Sequence, residues 1–218
     1  ALWWGDVVTI TRELLATSHG VVDGIAVSGI GPAVLLTDAD QEPVRPAILY
    51  GIDTRSQDQI VADTERLGED AILAAAGNLL TTQAVGPKLS WVAQNEPEVW
   101  ARVRHLHSAP SWVVHRLTAE YVMDHYSASN SDPLYDLATT DWWQPAWVGL
   151  EQITRPRLAW PGEIVGHVHA QAAAETGLTA GVPVLAGTID ALAEAYSVGV
   201  RDVGDAMVMY GSTLFMVQ

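Results

Sequence analysis

Cysteine is absent from this sequence of 218 residues. Disulfide bonds, thiolate catalysis and cysteine-ligated zinc are therefore excluded. Disulfides are rare in the cytoplasm, so a chain without cysteine is typical of that compartment, and we expect a cytoplasmic protein.

Basic residues are also scarce. Lys and Arg together number 11 against 26 for Asp and Glu, so the formal net charge is −15. Such a chain repels phosphate backbones and anionic lipid headgroups. No apolar run in the sequence reaches membrane-spanning length. We therefore expect neither nucleic acid nor a membrane as a partner, and a polyanionic ligand would need help from a metal ion and backbone N–H groups.

The amino end lacks the positive charge and the apolar stretch of a signal peptide. It also lacks an initiator Met and starts close to a predicted amphipathic helix at residues 3–17. We expect the sequence to be a piece of a longer protein.

The composition is that of a globular chain, with 49% hydrophobic and 17% charged residues. This length is enough for one sizeable domain with a well-buried core. Strand patterns occur towards both ends, with helical patterns between them, and this order predicts an α/β fold in which helices flank a mixed sheet. Sites in such folds lie beyond strand ends, which directs attention to the turns at residues 29–32, 50–55 and 187–190.

Local patterns predict further elements along the chain. Residues 21–28 have the pattern of a strand, and the Trp-rich residues 139–149 are expected to continue into a helix around Leu150. Residues 124–136 form a polar stretch. Lys88, near the start of a predicted helix, is expected at the surface rather than as a phosphate ligand.

Four histidines occur as two alternating pairs on strand patterns. We expect them to be exposed strand residues, with metal ligation as the alternative, because no carboxylate stands at a telling spacing. They are His105, His107, His167 and His169.

Asp190 stands where the buried strand at residues 182–185, followed by Gly187, gives way to a helical pattern from Ala191. One interpretation makes Asp190 the helix N-cap, its carboxylate accepting the free N–H groups of the first turn. The other makes it a reactive carboxylate on a rigid strand end, beside a glycine that lets a ligand approach. The local pattern allows both.

A second strand is predicted at residues 206–210, and it ends in Gly211-Ser212-Thr213. A small, hydroxyl-rich turn of this kind offers backbone N–H groups and hydroxyls to an anion. The sequence therefore suggests a carboxylate near an anion-binding turn.

The segment that carries Asp190, together with Gly204-Asp205 and residues 209–213, resembles the catalytic-aspartate segment of FGGY-type carbohydrate kinases. The xylulokinase-like members are the most similar. The likeness covers nearly the whole chain, through residues 28–32, 46–55, 85–91, 116–120 and 175–183, although Ala119 replaces the usual Gly.

The resemblance implies an actin-like, ribonuclease-H-like lobe, with the sugar and ATP meeting in a cleft. By that likeness residues 1–200 are the sugar-binding lobe, incomplete at its start, and residues 201–218 begin the ATP lobe. Asp190 becomes the general base that takes a proton from a sugar hydroxyl. The turn at Gly211, Ser212 and Thr213 becomes the one that faces the ATP phosphates, with Mg²⁺ as the accompanying ion.

The resemblance also implies sugar contacts in the first turn, here Ile30 and Gly31. That turn usually carries polar side chains, so recognition there must use backbone groups, or the sugar must differ from xylulose. Tyr50, one residue out of the family spacing, is expected either to pack on the sugar or to belong to the core. Asp53 either holds a sugar hydroxyl or pairs with Arg55.

Gln83 falls near a position that touches substrate in related kinases. Taken together, these features predict ATP-dependent phosphorylation of a sugar, a ketopentose such as xylulose, at a primary hydroxyl. The rivals are a non-catalytic sugar-binding or regulatory protein and a nucleotide-driven scaffold of the actin-like superfamily. The predicted partners are the sugar and ATP, and a homodimer is a further expectation with no residue assigned to it. The piece of chain alone is expected to be inactive.

Overall fold

The protein is described by a computed structural model that covers residues 2–18, 20–51, 53–210 and 214–217. Its α-helices are, in chain order, α1 Leu2–Thr17, α2 Gln57–Leu67, α3 Glu69–Ala76, α4 Val85–Asn95, α5 Pro97–Trp100, α6 Ala109–Thr118, α7 His125–Ser129, α8 Ala170–Thr176 and α9 Asp190–Ser197. Its strands are β1 Ser28–Gly29, β2 Ala33–Thr37, β3 Ile48–Leu49, β4 His105–His107, β5 Val122–Asp124, β6 Tyr135–Asp136, β7 Asp141–Trp142, β8 Arg157–Ala159, β9 Ile164–His167, β10 Pro183–Leu185, β11 Thr188–Ile189, β12 Met207–Tyr210 and β13 Leu214–Val217.

The strands pair in both senses, as the prediction of a mixed sheet requires. Strand β2 lies antiparallel between β3 and β4, and β9 is antiparallel to β10. Strand β1 is parallel to β11, and β5 is parallel to β8. Strands β12 and β13 pair antiparallel with each other. The ladders are short, and helices pack on them.

Helix α6 lies at the centre of the packing. Its N-cap Ser108 and Ser111 bond reciprocally to each other's backbone N–H groups, which fixes the start of the helix. Trp112, on the same helix, is 1% exposed and belongs to an apolar cluster with α1, α8 and β10. A second cluster fills the space between α4, β2, β4 and the 3₁₀ helix Gln144–Trp147. The core is thus divided between two apolar clusters.

Two local predictions are wrong: the extent of the strand at residues 21–28 and the helix around Leu150. The strand expected at residues 21–28 is a regular strand only in β1, although Ile25 N donates to Pro183 O at 3.0 Å further upstream. The helix expected around Leu150 is replaced by the 3₁₀ helix that begins beside Pro145, and Gly149 then reverses the chain at a φ of 90°. The polar residues 124–136 contain α7, which Asp124 caps by accepting from Tyr126 N and Ser127 N.

Among the helices of the described residues, none is both long enough and apolar enough to cross a bilayer.

Gly187, which separates β10 from β11, has a φ of 72°. A Cβ atom there would lie 2.3 Å from the backbone oxygen of Val27. Gly187→Ala should lower the free energy of unfolding by about 3 kcal/mol, because left-handed strain of about 1–2 kcal/mol adds to an overlap that the backbone must relieve. Gly181→Ala is the control, since its φ is 90° but nothing lies within 4 Å of its Cβ. It should lose about 1–2 kcal/mol in urea denaturation, and equal losses would show that the approach to Val27 is loose.

Ala119, at the end of α6, also takes the left-handed conformation, with a φ of 66°. Ala119→Gly should raise the free energy of unfolding by about 0.5–1 kcal/mol, because relief of the strain exceeds the added freedom of the unfolded chain. Ala101→Gly, at a helix end with a φ of −56°, should instead lose stability by about 0.5–1 kcal/mol. Thermal or urea denaturation measures both, and a stabilising Ala101→Gly would contradict this explanation.

Candidate functional site

The parallel pairing of β1 with β11 brings two of the three expected turns together. Ser28 lies opposite Thr188, and Gly29 lies opposite Ile189. Just beyond, a Cβ atom at Gly31 would lie 2.2 Å from Cγ2 of Ile189, so only glycine fits there without rearrangement. The first turn therefore packs directly on the residue that precedes Asp190.

Asp190 is the first residue of α9 and is half-buried. Its Oδ1 accepts a hydrogen bond from the N–H of Ala191 at 2.8 Å. The N-cap is Ile189, whose side chain makes no cap hydrogen bond, so the interpretation of Asp190 as the N-cap is wrong. Among the described residues Oδ2 of Asp190 has no hydrogen-bond partner. The carboxylate therefore lies at a helix N-terminus, where negative charge is favoured, with one oxygen available to a ligand.

Asp124 supports this turn and was missed in the sequence. It is 1% exposed, and its Oδ1 accepts from Thr188 Oγ1 at 2.9 Å as well as from the first turn of α7. Burial raises the pKa of Asp124, although hydrogen bonds from Ser127 and Thr188 oppose the rise. Its position, an acid just before a short helix, is a cap signal that the sequence offered. Asp124 ties β11 to α7 and so fixes the strand that leads to Asp190.

Asp53 and Arg55 form the ion pair that was one of the two expectations. Nη2 of Arg55 lies 2.7 Å from Oδ2 of Asp53, and Nε lies 2.9 Å from both carboxylate oxygens. The guanidinium stacks over the ring of Trp91 at 4.6 Å. Burial raises the pKa of Asp53, but the hydrogen bonds and charge of Arg55 outweigh it and hold the pKa below its ordinary value. A contact between Asp53 and a sugar hydroxyl remains a prediction.

Lys88 is fully buried, so the expectation of a surface residue is wrong. Its Nζ donates to the backbone oxygen of Gln83 at 3.2 Å. Burial lowers the pKa of Lys88, and the charge of Asp53 opposes this effect. The helix begins at Val85, which turns Lys88 inwards towards the loop that carries Gln83. Lys88 thus ties α4 to that loop.

The loop borders a cavity of about 390 Å³. Its lining is mostly polar: Pro32, Asn78, Leu79, Thr81, Gln83, Asn130 and Asp132. Asp132 was also missed in the sequence. Oδ1 of Asp132 is buried without a hydrogen-bond partner, and burial raises the pKa of this carboxyl to about 7. Gln83 and Pro32 of the first turn line the same cavity. A larger cavity of about 570 Å³ lies beside α1, among Leu2, Trp3 and Trp112, away from these carboxylates.

The remaining expected site residues fall at three places. Ile30 lies half-buried in the first turn, next to Gly31. Tyr50 follows β3, is half-buried and belongs to neither apolar cluster of the described residues, so its packing on a sugar stays a prediction. Gly211, Ser212 and Thr213 lie outside the described residues.

The four histidines divide between two outcomes. His167 is exposed on β9, as expected, whereas His105 and His169 are half-buried. His107 is buried, and its Nε2 lies 2.7 Å from Oε1 of Gln41, while His169 caps α8 by accepting from Ala172 N. Burial lowers the pKa of His107 well below its ordinary value. Within residues 2–18, 20–51, 53–210 and 214–217, no group of three or more His, Asp or Glu side chains is placed to hold a metal ion.

Known proteins similar to this chain are carbohydrate kinases of one family. Residues 1–196 match the N-terminal domain of the FGGY family of carbohydrate kinases. The xylulose kinase of Escherichia coli (strain K12) is 29% identical over 217 residues, which are 97% of this chain and 43% of that protein. The chain thus spans less than half the length of the curated relatives it matches.

Solved structures agree. The xylulose kinase from Rhodospirillum rubrum has a TM-score of 0.88 at 30% identity, over 96% of this chain and 44% of that one. The Plasmodium falciparum glycerol kinase with ADP has a TM-score of 0.83 at 18% identity, over 98% of this chain and 43% of that one, which is a likeness of fold alone. The resemblance in the motifs is confirmed, and so is the expected actin-like, ribonuclease-H-like α/β fold.

The raised pKa of Asp132 predicts a pH dependence of stability. The folded pKa of about 7 lies above the ordinary value of 3.8. The carboxyl therefore favours the folded state fully below about pH 4, and this contribution is lost as the pH rises through 7. Relative to Asp132→Asn, the wild type should lose up to about 4 kcal/mol of unfolding free energy between pH 4 and pH 8. Urea denaturation of both proteins across this range measures the difference, and parallel curves would contradict the shifted pKa.

Proposed function

Since the chain belongs to the FGGY family of carbohydrate kinases, we propose that it is the sugar-binding lobe of an enzyme that phosphorylates a sugar with ATP. The observation that carries the proposal is the place of Asp190. Its half-buried carboxylate begins α9 beside the first turn, and one of its oxygens has no partner among the described residues. A carboxylate held in this way can take a proton from a bound hydroxyl.

The proposed step is an in-line phosphoryl transfer. Asp190 accepts the proton of a primary sugar hydroxyl while the hydroxyl oxygen forms a bond to the γ-phosphorus of Mg·ATP, and the bond to the bridging oxygen of ADP breaks. Rigid placement of the base favours such a step, and Asp124, through Thr188, holds the strand that precedes it.

Mg·ATP enters this proposal as a substrate. Mg²⁺ is commonly held by one or two carboxylates together with substrate phosphates, so it needs no complete protein cage. The described residues offer no group of three acidic or histidine side chains for it, which is consistent with an ion that arrives with the nucleotide. The turn at Gly211, Ser212 and Thr213 is proposed to face the phosphates.

The proposed sugar is a ketopentose such as xylulose, because the relatives named above include xylulose kinases. Ile30, Gly31, Tyr50, Asp53 and Gln83 are the proposed sugar contacts. The first turn offers no polar side chain at Ile30 or Gly31, so its contacts would come from backbone groups.

We place the lobe boundary near residue 200, so that β12 and β13 begin the ATP-binding lobe. The outward residues of this hairpin support the boundary, because Val208 is 62% exposed and Tyr210 is 89% exposed. Large apolar side chains left open in this way are suited to further packing. A homodimer and a cytoplasmic location stay predictions.

In the full-length protein, Asp190→Asn should lower kcat by about 10²–10⁴. The sugar affinity should change much less, because the amide keeps the shape and loses only the basic oxygen. Glu194→Gln is the matched control, since Glu194 is exposed on the same helix. Coupled ADP-release kinetics on ketoses measure turnover, and calorimetry measures binding. Near-normal turnover of Asp190→Asn would contradict the assignment of Asp190 as the base. A wild-type protein that binds sugar but does not bind Mg·ATP would favour the non-catalytic rival.

A further inference from the structure

The cavity beside the first turn is lined by the carboxyl group of Asp132, and the described residues supply no hydrogen-bond donor to one of its oxygens. Oδ1 of Asp132 is buried without a partner. Two neighbouring side chains are engaged elsewhere: Ser131 Oγ donates to Ser127 O, and Nδ2 of Asn130 donates to Tyr126 O. The backbone oxygen of Asp132 itself accepts from Gly86 N at 2.8 Å. A buried acceptor without a donor is costly. Asp132 is half-buried and lines the cavity, so its carboxyl group can meet a ligand that brings a donor.

The cavity is suited to a polyhydroxylated molecule. Its volume of about 390 Å³ falls in the range of small-molecule sites, roughly 300–1,000 Å³. Amide and hydroxyl side chains on its wall can pair with hydroxyl groups, and Asp132 is its charged member. An apolar ligand would leave these groups without partners.

The position of the cavity relates it to Asp190. Pro32 lines the cavity, and the preceding Gly31 packs on Ile189, next to Asp190. The first turn, at Gly31 and Pro32, therefore lies between the cavity and the candidate base Asp190. A sugar that presents a hydroxyl to Asp190 across this turn would extend its other end towards Asp132.

We propose that Asp132 hydrogen-bonds a hydroxyl at the end of the sugar remote from the transferred phosphoryl group, and thereby selects the substrate. This inference rests on the proposed kinase function. A sugar hydroxyl donates to the carboxyl group of Asp132, and Gln83, which lines the same cavity, lies beside the same part of the ligand.

The charged groups on the elements around Asp132 are engaged elsewhere. Lys88 on α4 donates to Gln83, and Asp53 beside it pairs with Arg55. Asp124 caps α7, and Asp136 on β6 accepts from the N–H groups of Ala138 and Thr139. Burial is the cause of the raised pKa of Asp132. A donated hydroxyl stabilises the carboxylate form, so sugar binding should release a proton and strengthen as the pH rises through 7.

The test compares the wild-type full-length protein with Asp132→Asn. The two substrates are D-xylulose and the deoxy analogue in which the terminal hydroxyl that is not phosphorylated is replaced by hydrogen. Replacement of the charged acceptor by the weaker, neutral amide oxygen should lower kcat/KM for D-xylulose about tenfold. For the deoxy analogue, kcat/KM should differ less than about threefold between the two proteins, because the contact is already missing. The KM for Mg·ATP should not change. Asp58→Asn, at an exposed position of α2, is the matched control.

Calorimetric titration with D-xylulose gives a second readout. The wild type should bind up to about tenfold more tightly at pH 8 than at pH 6, and Asp132→Asn should show no such change. An unchanged kcat/KM in Asp132→Asn, equal losses for the two sugars, or a wild-type affinity that is flat or falls with pH would overturn the inference.

The outcomes separate this inference from the proposed function. A wild-type protein that phosphorylates no ketose would defeat the kinase proposal itself, and the assignment of Asp132 with it. An active wild type that depends on Asp190 but not on Asp132 would defeat this inference alone.

Discussion

The candidate site depends on one close contact, between the first turn and strand β11. Gly29 pairs with Ile189, and Gly31 leaves room for the side chain of that isoleucine. The parallel ladder joins residues that are about 160 positions apart in the chain, so the site exists only when the fold is complete. Two further contacts fix the same strand: Gly187 packs closely against the backbone of Val27, and Thr188 donates a hydrogen bond to Asp124. The position of Asp190 is thus fixed by packing more than by its own side-chain bonds.

The chain is strongly acidic, and yet its interior holds few charges, each with a distinct environment. Asp53 is neutralised by Arg55, and Lys88 reaches a backbone oxygen. Asp124 is satisfied at one oxygen by a helix start. Asp132 has no such compensation at Oδ1 and faces a cavity. In a low-dielectric interior such a difference separates structural carboxylates from one that is open to a ligand.

Much of the fold could be predicted from the sequence. Helices such as α1, α2 and α8 follow from periodicity and stop signals, and Asp190 could be placed at a strand–helix junction from local pattern and family likeness. The burial of Lys88 could not be predicted, because Lys is seldom fully buried. Its position depends on a tertiary contact with the loop that carries Gln83, which the local sequence pattern does not show. The role of Asp132 was hidden for a similar reason, since a polar stretch gives no sign of which carboxyl lacks a donor. The 3₁₀ helix near Leu150 shows that Pro145 and Gly149 outweigh an apolar run.

The fit of Gly31 against Ile189 has a consequence for changes of substrate range. The isoleucine methyl occupies the volume into which a side chain at position 31 would project. Grafting a polar residue onto the turn therefore demands a smaller neighbour at 189 at the same time, and either exchange alone leaves a clash or a void. The two positions form one steric unit, so their combined effect on turnover should be strongly non-additive.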